Sequence, residues 1–262
     1  MADCGSQNTL GVSTTAEEFA SGKITYLLNG STSEGNLAWY QTLGDGIDTD
    51  ANPVLDKNHK VVYATQPCAT GFSNIEGAAN PHSSVDEITG YCSACGKYTT
   101  AATLTDGVYQ IGNAAQLYWF ADFVNNGHPT ANAVLTQNIT VNATVIDENG
   151  SLIGTQTNSW TPIGTSAYKY AGTFDGNGHT ISGLYFNNIT DGSYPNGGNY
   201  IGLIGYANGT TIKNVGIIDS YIRGRSYVGG ICGYICFDSS SKTTITNCYN
   251  TGTVSGSSFS GK

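Results

Sequence analysis

The residues with the most specific chemistry are three cysteines and one histidine in the first hundred positions. Cys92 and Cys95 are separated by two residues, and Cys68 and His82 precede them. Zinc in structural sites takes four Cys or His ligands at tetrahedral corners, and a C-x2-C turn presents two thiolates to one ion. The spacing predicts a closed Cys3His site with a structural zinc ion, which has no open position for a reacting water.

Two alternatives to this zinc site stay open. The cysteines of the set could form a disulfide in an exported protein, or the four residues could be unliganded. His59 is a reserve ligand if His82 is not used. The stretch that carries these residues is short and poor in hydrophobic runs, so bound zinc would supply stability that a small core cannot.

Asp175, in the segment FDGNGHTI, is a weak candidate for a catalytic acid. Enzymes that cleave glycosidic bonds usually need two carboxylates that flank a groove, one of them protonated. No second acid recurs near Asp175, and Asp191, Asp219 and Asp238 fall at dissimilar places in the repeats described below. We expect Asp175 to cap backbone N–H groups of a Gly/Asn tight turn, and we predict no catalytic site.

Several tyrosines could stack on sugar rings, because each offers an apolar face and a polar tip. The candidates are Tyr168, Tyr170, Tyr185, Tyr194, Tyr221 and Tyr249. Tyr206 and Tyr234 occupy equivalent positions in two repeats and are expected to stack on each other instead. The sequence singles out no ligand-binding residue within this group.

Composition limits the function classes that are open to the chain. It has 262 residues, 10 Lys and Arg against 19 Asp and Glu, a formal net charge of -9 and 35 glycines. This acidic balance works against binding to nucleic acids or to acidic membrane surfaces. No run of about 18 apolar residues predicts a membrane span, and we expect any export signal to lie on a longer parent chain.

The composition also changes along the chain, which favours two domains. We place a small α+β module at residues 1–105 and a repeat block at residues 106–262. The first part holds most of the helix-like sequence, whereas Gly, Asn, Thr, Ser, Ile and Tyr dominate from about Val134 onward. The boundary therefore falls ahead of the segment in which the composition changes.

Two segments have helical patterns. Thr14 or Thr15 stands three residues before Glu17 or Glu18, which is typical of a capping box and predicts one short helix. The segment Asn113–Asn125 has apolar residues at helical spacing and predicts a second helix. We expect this second helix to cover the open end of the repeats that follow, as the terminal caps of repeat folds do.

An internal repeat occupies the second half of the chain. The segment Tyr200–Tyr206, YIGLIGY, returns as YVGGICGY at Tyr227–Tyr234, and Thr-Ile motifs begin at Thr180, Thr211 and Thr244. The segments between them are short β-branched runs broken by Gly and Asn. A period of this length without helices predicts stacked coils of β-strands.

Stacked coils place equivalent residues on top of each other. Leu184, Val215 and Cys248 are expected to form one buried column, and Ile204 and Cys232 part of another.

Two further expectations concern residues at and beyond the coil turns. Asn214 and Asn247 are expected to form a turn-forming ladder that satisfies backbone groups where the coil bends. Cys236 could pair with Cys232 or Cys248 in an oxidising environment.

These motifs, with WTPIGT and FDGNGHTISGLYF before them, resemble the GLUG-motif repeat proteins found on the surfaces of gut-type anaerobic bacteria. The resemblance covers about Tyr109 to Lys262. It implies a right-handed parallel β-helix within a long, multi-module surface protein. The segments EEFASGKITYLLNG, PVLDKNHKVVYA and GYCSACGKY resemble the spacer modules of such proteins, so we expect the chain to be a fragment of a longer array, cut partway through a coil.

The sequence and this resemblance together predict a mainly β protein. An α+β spacer module held by zinc precedes a right-handed parallel β-helix with a capping helix. We expect a non-enzymatic, extracellular cell-surface module, a spacer or adhesin scaffold, with glycans or host surface proteins as ligands and adjacent modules or other copies packed end to end. The alternatives are a polysaccharide-cleaving β-helix enzyme fragment and a self-assembling filament subunit, and neither nucleic-acid binding nor membrane insertion is expected.

Overall fold

The computed structural model describes residues 15–44, 49–67, 71–80, 84–154, 156–236 and 241–257. The chain divides into two compact units between Ser84 and Val85. This division lies earlier than the boundary placed at 105 from composition. The difference arises because the strands just after Val85 pack with the helix and strands that follow them. The described residues are mainly β, with three helices.

The first unit has little regular structure. Its helices and strands are α1 (Ala16–Ala20), α2 (Lys23–Leu28), β1 (Tyr63–Ala64), β2 (Gln66–Pro67), β3 (Phe72–Ser73) and β4 (Ala79–Asn80). Strand β1 pairs with β3 in antiparallel orientation, and β2 pairs with β4 in parallel orientation.

The predicted capping box of the first unit is confirmed, but the single predicted helix is wrong. The Glu18 N–H donates to Thr15 Oγ1 at 3.2 Å, and the Thr15 N–H donates to Glu18 Oε2 at 3.1 Å. The helix stops after Ala20 because Gly22 adopts a left-handed conformation with φ 86°. A Cβ atom on Gly22 would lie 2.7 Å from Leu43 Cδ1, so the turn also permits close packing.

The second unit contains one helix, α3 (Ala114–Asn125), and nineteen strands among its described residues. The strands are β5 (Tyr91–Cys92), β6 (Lys97–Tyr98), β7 (Thr103–Thr105), β8 (Val108–Ile111), β9 (Asn132–Leu135), β10 (Ile139–Thr140), β11 (Thr173–Asp175), β12 (Thr180–Ser182), β13 (Tyr185–Asn187), β14 (Asn199–Ile201), β15 (Ile204–Ala207), β16 (Thr211–Lys213), β17 (Gly216–Ile218), β18 (Tyr221–Gly224), β19 (Ser226–Val228), β20 (Cys232–Ile235), β21 (Thr244–Thr246), β22 (Tyr249–Asn250) and β23 (Thr253–Gly256).

Most of these strands pair in parallel with the strand one repeat away. Three ladders run in the orders β9-β11-β16-β21, β10-β12-β17-β22 and β13-β18-β23, and two further pairs join β14 to β19 and β15 to β20. Strand β8 adds to β9 in parallel, and β7 pairs with β8 in antiparallel orientation. Parallel pairing between repeats brings like residues together, which is what the sequence repeat requires.

The register of these ladders corrects one predicted alignment. Thr211 pairs with Thr244, as the repeat predicts, but its partner on the other side is Thr173 and not Thr180. Thr180 lies in a different ladder. The reason is the turn before β12, where four residues, 176–179, separate β11 from β12, whereas two residues separate β16 from β17.

The predicted buried columns are therefore confirmed only in part. Ile204 pairs with Cys232, as expected. Leu184 and Val215 are both buried, but they are not equivalent. The Leu184 N–H donates to Ser220 Oγ at 2.9 Å, so Leu184 lies level with the residue before β18.

The cysteines of the repeat block are half-buried. Cys232 and Cys248 pack against the hydrophobic core, and burial raises the pKa of the Cys232 thiol to about 12. Within the described part of the chain, Cys232, Cys236 and Cys248 form no disulfide. Cys232 and Cys248 act as small apolar groups at the margin of the core.

Helix α3 is confirmed close to its predicted bounds. The Asn113 side chain accepts a hydrogen bond from the Gln116 N–H at 2.9 Å and caps the helix. The buried face includes Phe120, whose ring centroid lies 6.2 Å from that of Tyr170 and 6.3 Å from that of Phe174. The helix and the strands therefore share one core.

The predicted asparagine ladder is confirmed. Asn214 and Asn247 have left-handed backbones with φ 56° and 53°, which Asn tolerates better than most residues. Asn247 Nδ2 donates to Asn214 Oδ1 at 3.1 Å, and Asn214 Nδ2 donates to Asp175 Oδ1 at 3.0 Å. Asp175 also accepts from the Asn177 N–H and pairs with Lys213, so it ends the ladder as a turn residue.

The predicted contact between Tyr206 and Tyr234 is confirmed, but the rings meet edge to face. Their centroids are 4.7 Å apart with 62° between the planes, whereas Tyr200 and Tyr227 stack at 4.9 Å and 7°. Tyr200 and Tyr227 both have left-handed backbones, with φ 65° and 57°. Contacts within this four-ring cluster offset the strain of those two residues.

The last strands of the ladders expose apolar side chains. Strands β21, β22 and β23 each end a ladder among the described residues. Ile245, Tyr249 and Val254 on these strands are 41%, 52% and 37% exposed, whereas Ile212 and Ile222 one repeat earlier are buried. The last strands of these ladders thus expose apolar side chains of the kind that are buried one repeat earlier.

Replacement of Asn214 tests the ladder. Asn214→Ala loses the side-chain hydrogen bonds and forces Ala into a left-handed backbone, so we expect the free energy of unfolding to fall by about 2–3 kcal/mol. Asn214→Gly loses the same hydrogen bonds without the backbone strain and should lose about 1 kcal/mol. Urea denaturation of both variants measures the difference, and equal losses would contradict the role of the left-handed turn.

Candidate functional site

A cleft of about 470 Å³ in the second unit collects aromatic, amide and carboxyl side chains. Four parts of the chain form it: the β5–β6 hairpin, the C-terminal end of α3, and two loops. The lining residues are Tyr91, Gly96, Tyr98, Asp122, Asn125, Asn126, Thr161, Thr165, Tyr194 and Pro195. A concave site with aromatic walls and a few polar groups is the usual form of a ligand-binding site.

The β5–β6 hairpin supplies two aromatic walls. Tyr91 and Tyr98 are cross-strand partners, and their ring centroids lie 5.2 Å apart. The hairpin turns through the C-x2-C segment, where the Gly96 N–H donates to the Cys92 carbonyl at 2.8 Å and Gly96 takes φ 70°. The sequence motif that predicts a zinc knuckle thus also shapes one side of the cleft.

A chain of aromatic contacts fixes this hairpin to the core. Tyr98 stacks on Tyr118 with 6.0 Å between centroids, and Tyr118 lies 5.3 Å from Trp160. Tyr118 donates its hydroxyl to the Ser159 carbonyl at 3.0 Å, and Trp160 Nε1 donates to the Gly202 carbonyl at 2.9 Å. The Tyr98 ring is therefore held before any ligand arrives, which lowers the entropy lost on binding.

The end of α3 supplies the polar groups. Asp122 lies in the last turn of the helix, and Asn126 follows as its C-cap. Asn126 Nδ2 donates to Asp122 Oδ1 at 2.9 Å and to the Asp122 carbonyl at 2.9 Å. These hydrogen bonds orient the carboxylate and occupy one of its two oxygens.

Two loops complete the cleft and are fixed by side chains. Asn125 Nδ2 donates to the Pro162 carbonyl at 2.9 Å, and Asn125 Oδ1 accepts from the Gly164 N–H at 2.8 Å. Thr161 Oγ1 and the Tyr194 hydroxyl share a hydrogen bond of 2.9 Å. Asn125 thus fixes the loop that contains Pro162 and Gly164 to the end of α3. The hydrogen bond to Thr161 fixes Tyr194 as a third aromatic wall of the cleft.

Burial raises the pKa of two groups that line the cleft, Asp122 and Tyr98. Burial raises the pKa of the Asp122 carboxyl above its ordinary value, and the hydrogen bond from Asn126 acts against this. Burial also raises the pKa of Tyr98 to about 12, with smaller contributions from Tyr194 and Asp122. A carboxyl with a raised pKa in a cleft marks a candidate binding or catalytic group.

The arrangement suits a ligand with apolar faces and many hydroxyl groups. Tyr91 is 39% exposed, so part of its ring is open to stacking. Asp122 and Asn126 offer oxygen acceptors, and Thr165 a hydroxyl. A sugar ring matches both features, because its C–H face can stack on a tyrosine while its hydroxyls donate hydrogen bonds.

The structure describes only half of the predicted zinc site. Cys92 is buried in β5, and Cys95 is half-buried in the hairpin turn, whereas Cys68 and His82 lie outside the described residues. Among the residues with described positions, no group of three or more His, Cys, Asp and Glu could hold a metal ion. His59 Nδ1 lies 2.6 Å from Asp50 Oδ2. The zinc site stays a prediction of the sequence.

Asp175 lies apart from the residues that line the cleft. Its Oδ2 pairs with Lys213 Nζ at 3.1 Å. Although burial acts to raise the pKa of Asp175, hydrogen bonds from Asn177, Asn214 and Lys213 hold it below its ordinary value. A carboxylate stabilised in this way is a poor proton donor.

The tyrosines predicted to stack on sugars fall in different places. Tyr194 lines the cleft, but Tyr170 is fully buried and donates its hydroxyl to the Ala131 carbonyl, so it is not available to a ligand. Tyr185 and Tyr221 stack on each other at 6.4 Å across β13 and β18. The other two, Tyr168 and Tyr249, are exposed outside the cleft.

Sequence reasoning missed most of the cleft. Asp122 has no motif, Thr161 and Thr165 were noted only as part of the segment WTPIGT, and Tyr91 and Tyr98 stood out only as neighbours of the C-x2-C segment. One signal was present: Asp122 lies in the last turn of a predicted helix, where an acid is unfavourable. An unfavourable residue in a well-formed element can indicate function.

Comparison with known proteins gives no relative: no family model matches the chain, and neither a curated protein nor a solved structure matches it. No helix among the described residues is long and apolar enough to span a membrane.

Asp122 and Asp175 have pKa shifts of opposite sign, so their contributions to the free energy of unfolding should depend on pH in opposite ways. The pKa of Asp122 is higher in the folded chain than its ordinary value of 3.8. The contribution of Asp122 to the free energy of unfolding is therefore largest at low pH, and it is lost as the pH rises from 3.8 through the higher pKa of the folded state. We expect Asp122→Asn to gain stability relative to the parent as pH rises.

Asp175 has the reverse sign, because its folded pKa lies below 3.8. The advantage of the parent over Asp175→Asn should shrink as pH falls through that lower pKa. Urea denaturation at a series of pH values measures both variants, and the same sign for the two would contradict these environments.

The zinc prediction has a direct test. Protein purified without added metal should contain one zinc per chain by elemental analysis, and Cys95→Ser should lose it, because three remaining ligands bind zinc much more weakly than four. Cys236→Ser is the matched control and should keep the metal. Absence of zinc, together with a disulfide found among Cys68, Cys92 and Cys95, would support the disulfide alternative.

Proposed function

We propose that the protein is a non-enzymatic, glycan-binding module of an extracellular cell surface. The observation that carries this proposal is the cleft with three tyrosine walls and an oriented carboxylate. Its walls are held by Tyr118 and by the hydrogen bond between Thr161 and Tyr194. The acidic composition, with a net charge of -9, fits a role away from nucleic acids.

We also propose that the second unit is a right-handed parallel β-helix of the kind implied by the resemblance to GLUG-motif surface proteins. Support comes from the parallel ladders that join strands one repeat apart and from the asparagine ladder at one turn. Helix α3 would then be the cap of its first coil, since its apolar face packs on Tyr170 and Phe174.

An enzyme is the first alternative, and Asp122 is the residue that favours it. A carboxyl with a raised pKa could act as a general acid. Glycoside hydrolysis needs a second carboxylate within about 5–10 Å, and Asp122 is the one carboxyl among the described residues that line the cleft. The single acid favours binding over cleavage.

A self-assembling subunit is the second alternative. The exposed Ile245, Tyr249 and Val254 at the end of the ladders are the observation in its favour. Unpaired strand edges with apolar side chains can pair with another copy or with an adjacent module.

Binding to a panel of soluble oligosaccharides tests the proposed function. The panel contains gluco-oligomers, N-acetylglucosamine oligomers, glucosamine oligomers and galacturonate oligomers, and isothermal titration calorimetry measures each dissociation constant. At least one should bind, and Tyr91→Ala should weaken it about tenfold, because a stacking contact of about 1.4 kcal/mol is lost.

Tyr249→Ala is the matched control, since Tyr249 is exposed but lies outside the cleft. Loss of binding in this variant and not in Tyr91→Ala would place the glycan elsewhere. The same samples are checked for new reducing ends and by sedimentation. Cleavage that Asp122→Asn abolishes would favour the enzyme, and concentration-dependent filaments without glycan binding would favour the assembling subunit.

A further inference from the structure

The Asp122 carboxylate has no positive partner within the described chain. Asn126 hydrogen-bonds to Oδ1, and the four ion pairs among these residues do not include Asp122. It also lies in the last turn of a 12-residue helix that carries no basic residue there. The C-terminal end of a helix bears partial negative charge, so its field disfavours a carboxylate and favours a cation.

Three other acids, Asp175, Asp191 and Asp50, are different. Asp175 pairs with Lys213, Asp191 pairs with Arg225, and Asp50 lies beside His59. In each case the structure supplies the compensating group, and the pKa of the acid is lowered. Asp122 is the half-buried acid among the described residues whose negative charge is not balanced by a cationic side chain, so a balancing cation has to come from a ligand.

The cleft around Asp122 is aromatic on several sides. Tyr91, Tyr98 and Tyr194 line it together with the carboxylate. Tyrosine faces attract an organic cation through the ring quadrupole, and this attraction grows when water is excluded. A carboxylate among aromatic rings is therefore chemically suited to an ammonium group.

The donor set does not suit a metal ion. Calcium takes six to eight oxygen ligands, often from several carboxylates, and Asp122 is the single carboxyl among the described lining residues. An ammonium group needs fewer acceptors, because it donates three hydrogen bonds. The Asp122 carboxylate and the side-chain oxygen of Asn126 can accept two of these hydrogen bonds.

We infer that this cleft selects glycans that carry a free amino group, with the ammonium placed against Asp122 and the sugar ring against a tyrosine. The inference rests on the proposed function and names its ligand class. The acetylated form of the same sugar loses the charge and should bind less well. Uronic acids should be excluded, because their carboxylates would be repelled by Asp122 and by the acidic chain.

Calorimetry with two matched ligands tests the inference. Glucosamine oligomers should bind about tenfold tighter than N-acetylglucosamine oligomers of equal length, at mildly acidic pH where the amine is protonated. Asp122→Asn should remove this preference while it keeps the side-chain shape. Glu148→Gln changes the net charge equally at an exposed loop and should leave the preference intact.

The outcomes separate the inference from the proposed function. Equal binding of the two ligands, or an unchanged preference in Asp122→Asn, would overturn the inference and leave glycan binding in place. Binding of none of the oligosaccharides would overturn the proposed function itself. A lysine-rich peptide that binds through Asp122 while glucosamine oligomers do not would assign the ammonium to a protein and also overturn the inference. Asp122→Glu, which keeps the charge, should retain part of the preference, and urea denaturation confirms that each variant is folded.

Discussion

Parallel pairing between segments one repeat apart determines much of the second unit, because it satisfies the backbone hydrogen bonds of each strand through the strands of neighbouring repeats. Successive backbones can approach only where no side chain intervenes. A Cβ atom on Gly183 would lie 2.0 Å from the Asn142 carbonyl oxygen, and one on Gly172 would lie 2.1 Å from that of Ala131. Both glycines therefore have no substitute that keeps the same backbone path. Much of the glycine in this chain meets such demands and those of left-handed turns.

The same pairing explains how the two loops of the cleft are held in place. The loop that carries Thr161 lies between the core residue Trp160 and Gly164, which takes φ 83°. Isolated parallel bridges join Ser159 to Tyr185 and Ile163 to Ile204, so this loop is attached to two ladders. A loop held at such close intervals can position side chains nearly as well as a strand does.

Sequence patterns predicted the parts of the structure that depend on local chemistry. Helix α3 follows from a capping Asn113 and apolar residues at helical spacing, and the ladder of Asn214 and Asn247 follows from the repeat. The break at Gly22 and the longer turn before β12 were missed. The first depends on packing against a residue distant in sequence, and the second on the register between strands, and neither can be read from a local sequence pattern. The cleft was missed for a related reason.

The residues that line the cleft come from four segments that no local motif links, so only the fold brings them together.

Asp122 and Asp175 differ in how far the surrounding structure compensates the charge of the carboxylate. Both are partly buried, and burial alone acts to raise the pKa of each. At Asp175 the turn supplies backbone and amide hydrogen bonds and a lysine, so the charge is stable without a ligand. At Asp122 the helix end opposes the charge, and the described residues offer one amide. An acid in a cleft whose charge the fold leaves uncompensated is a candidate for ligand binding, and this is the observation behind the inferred ammonium partner of Asp122.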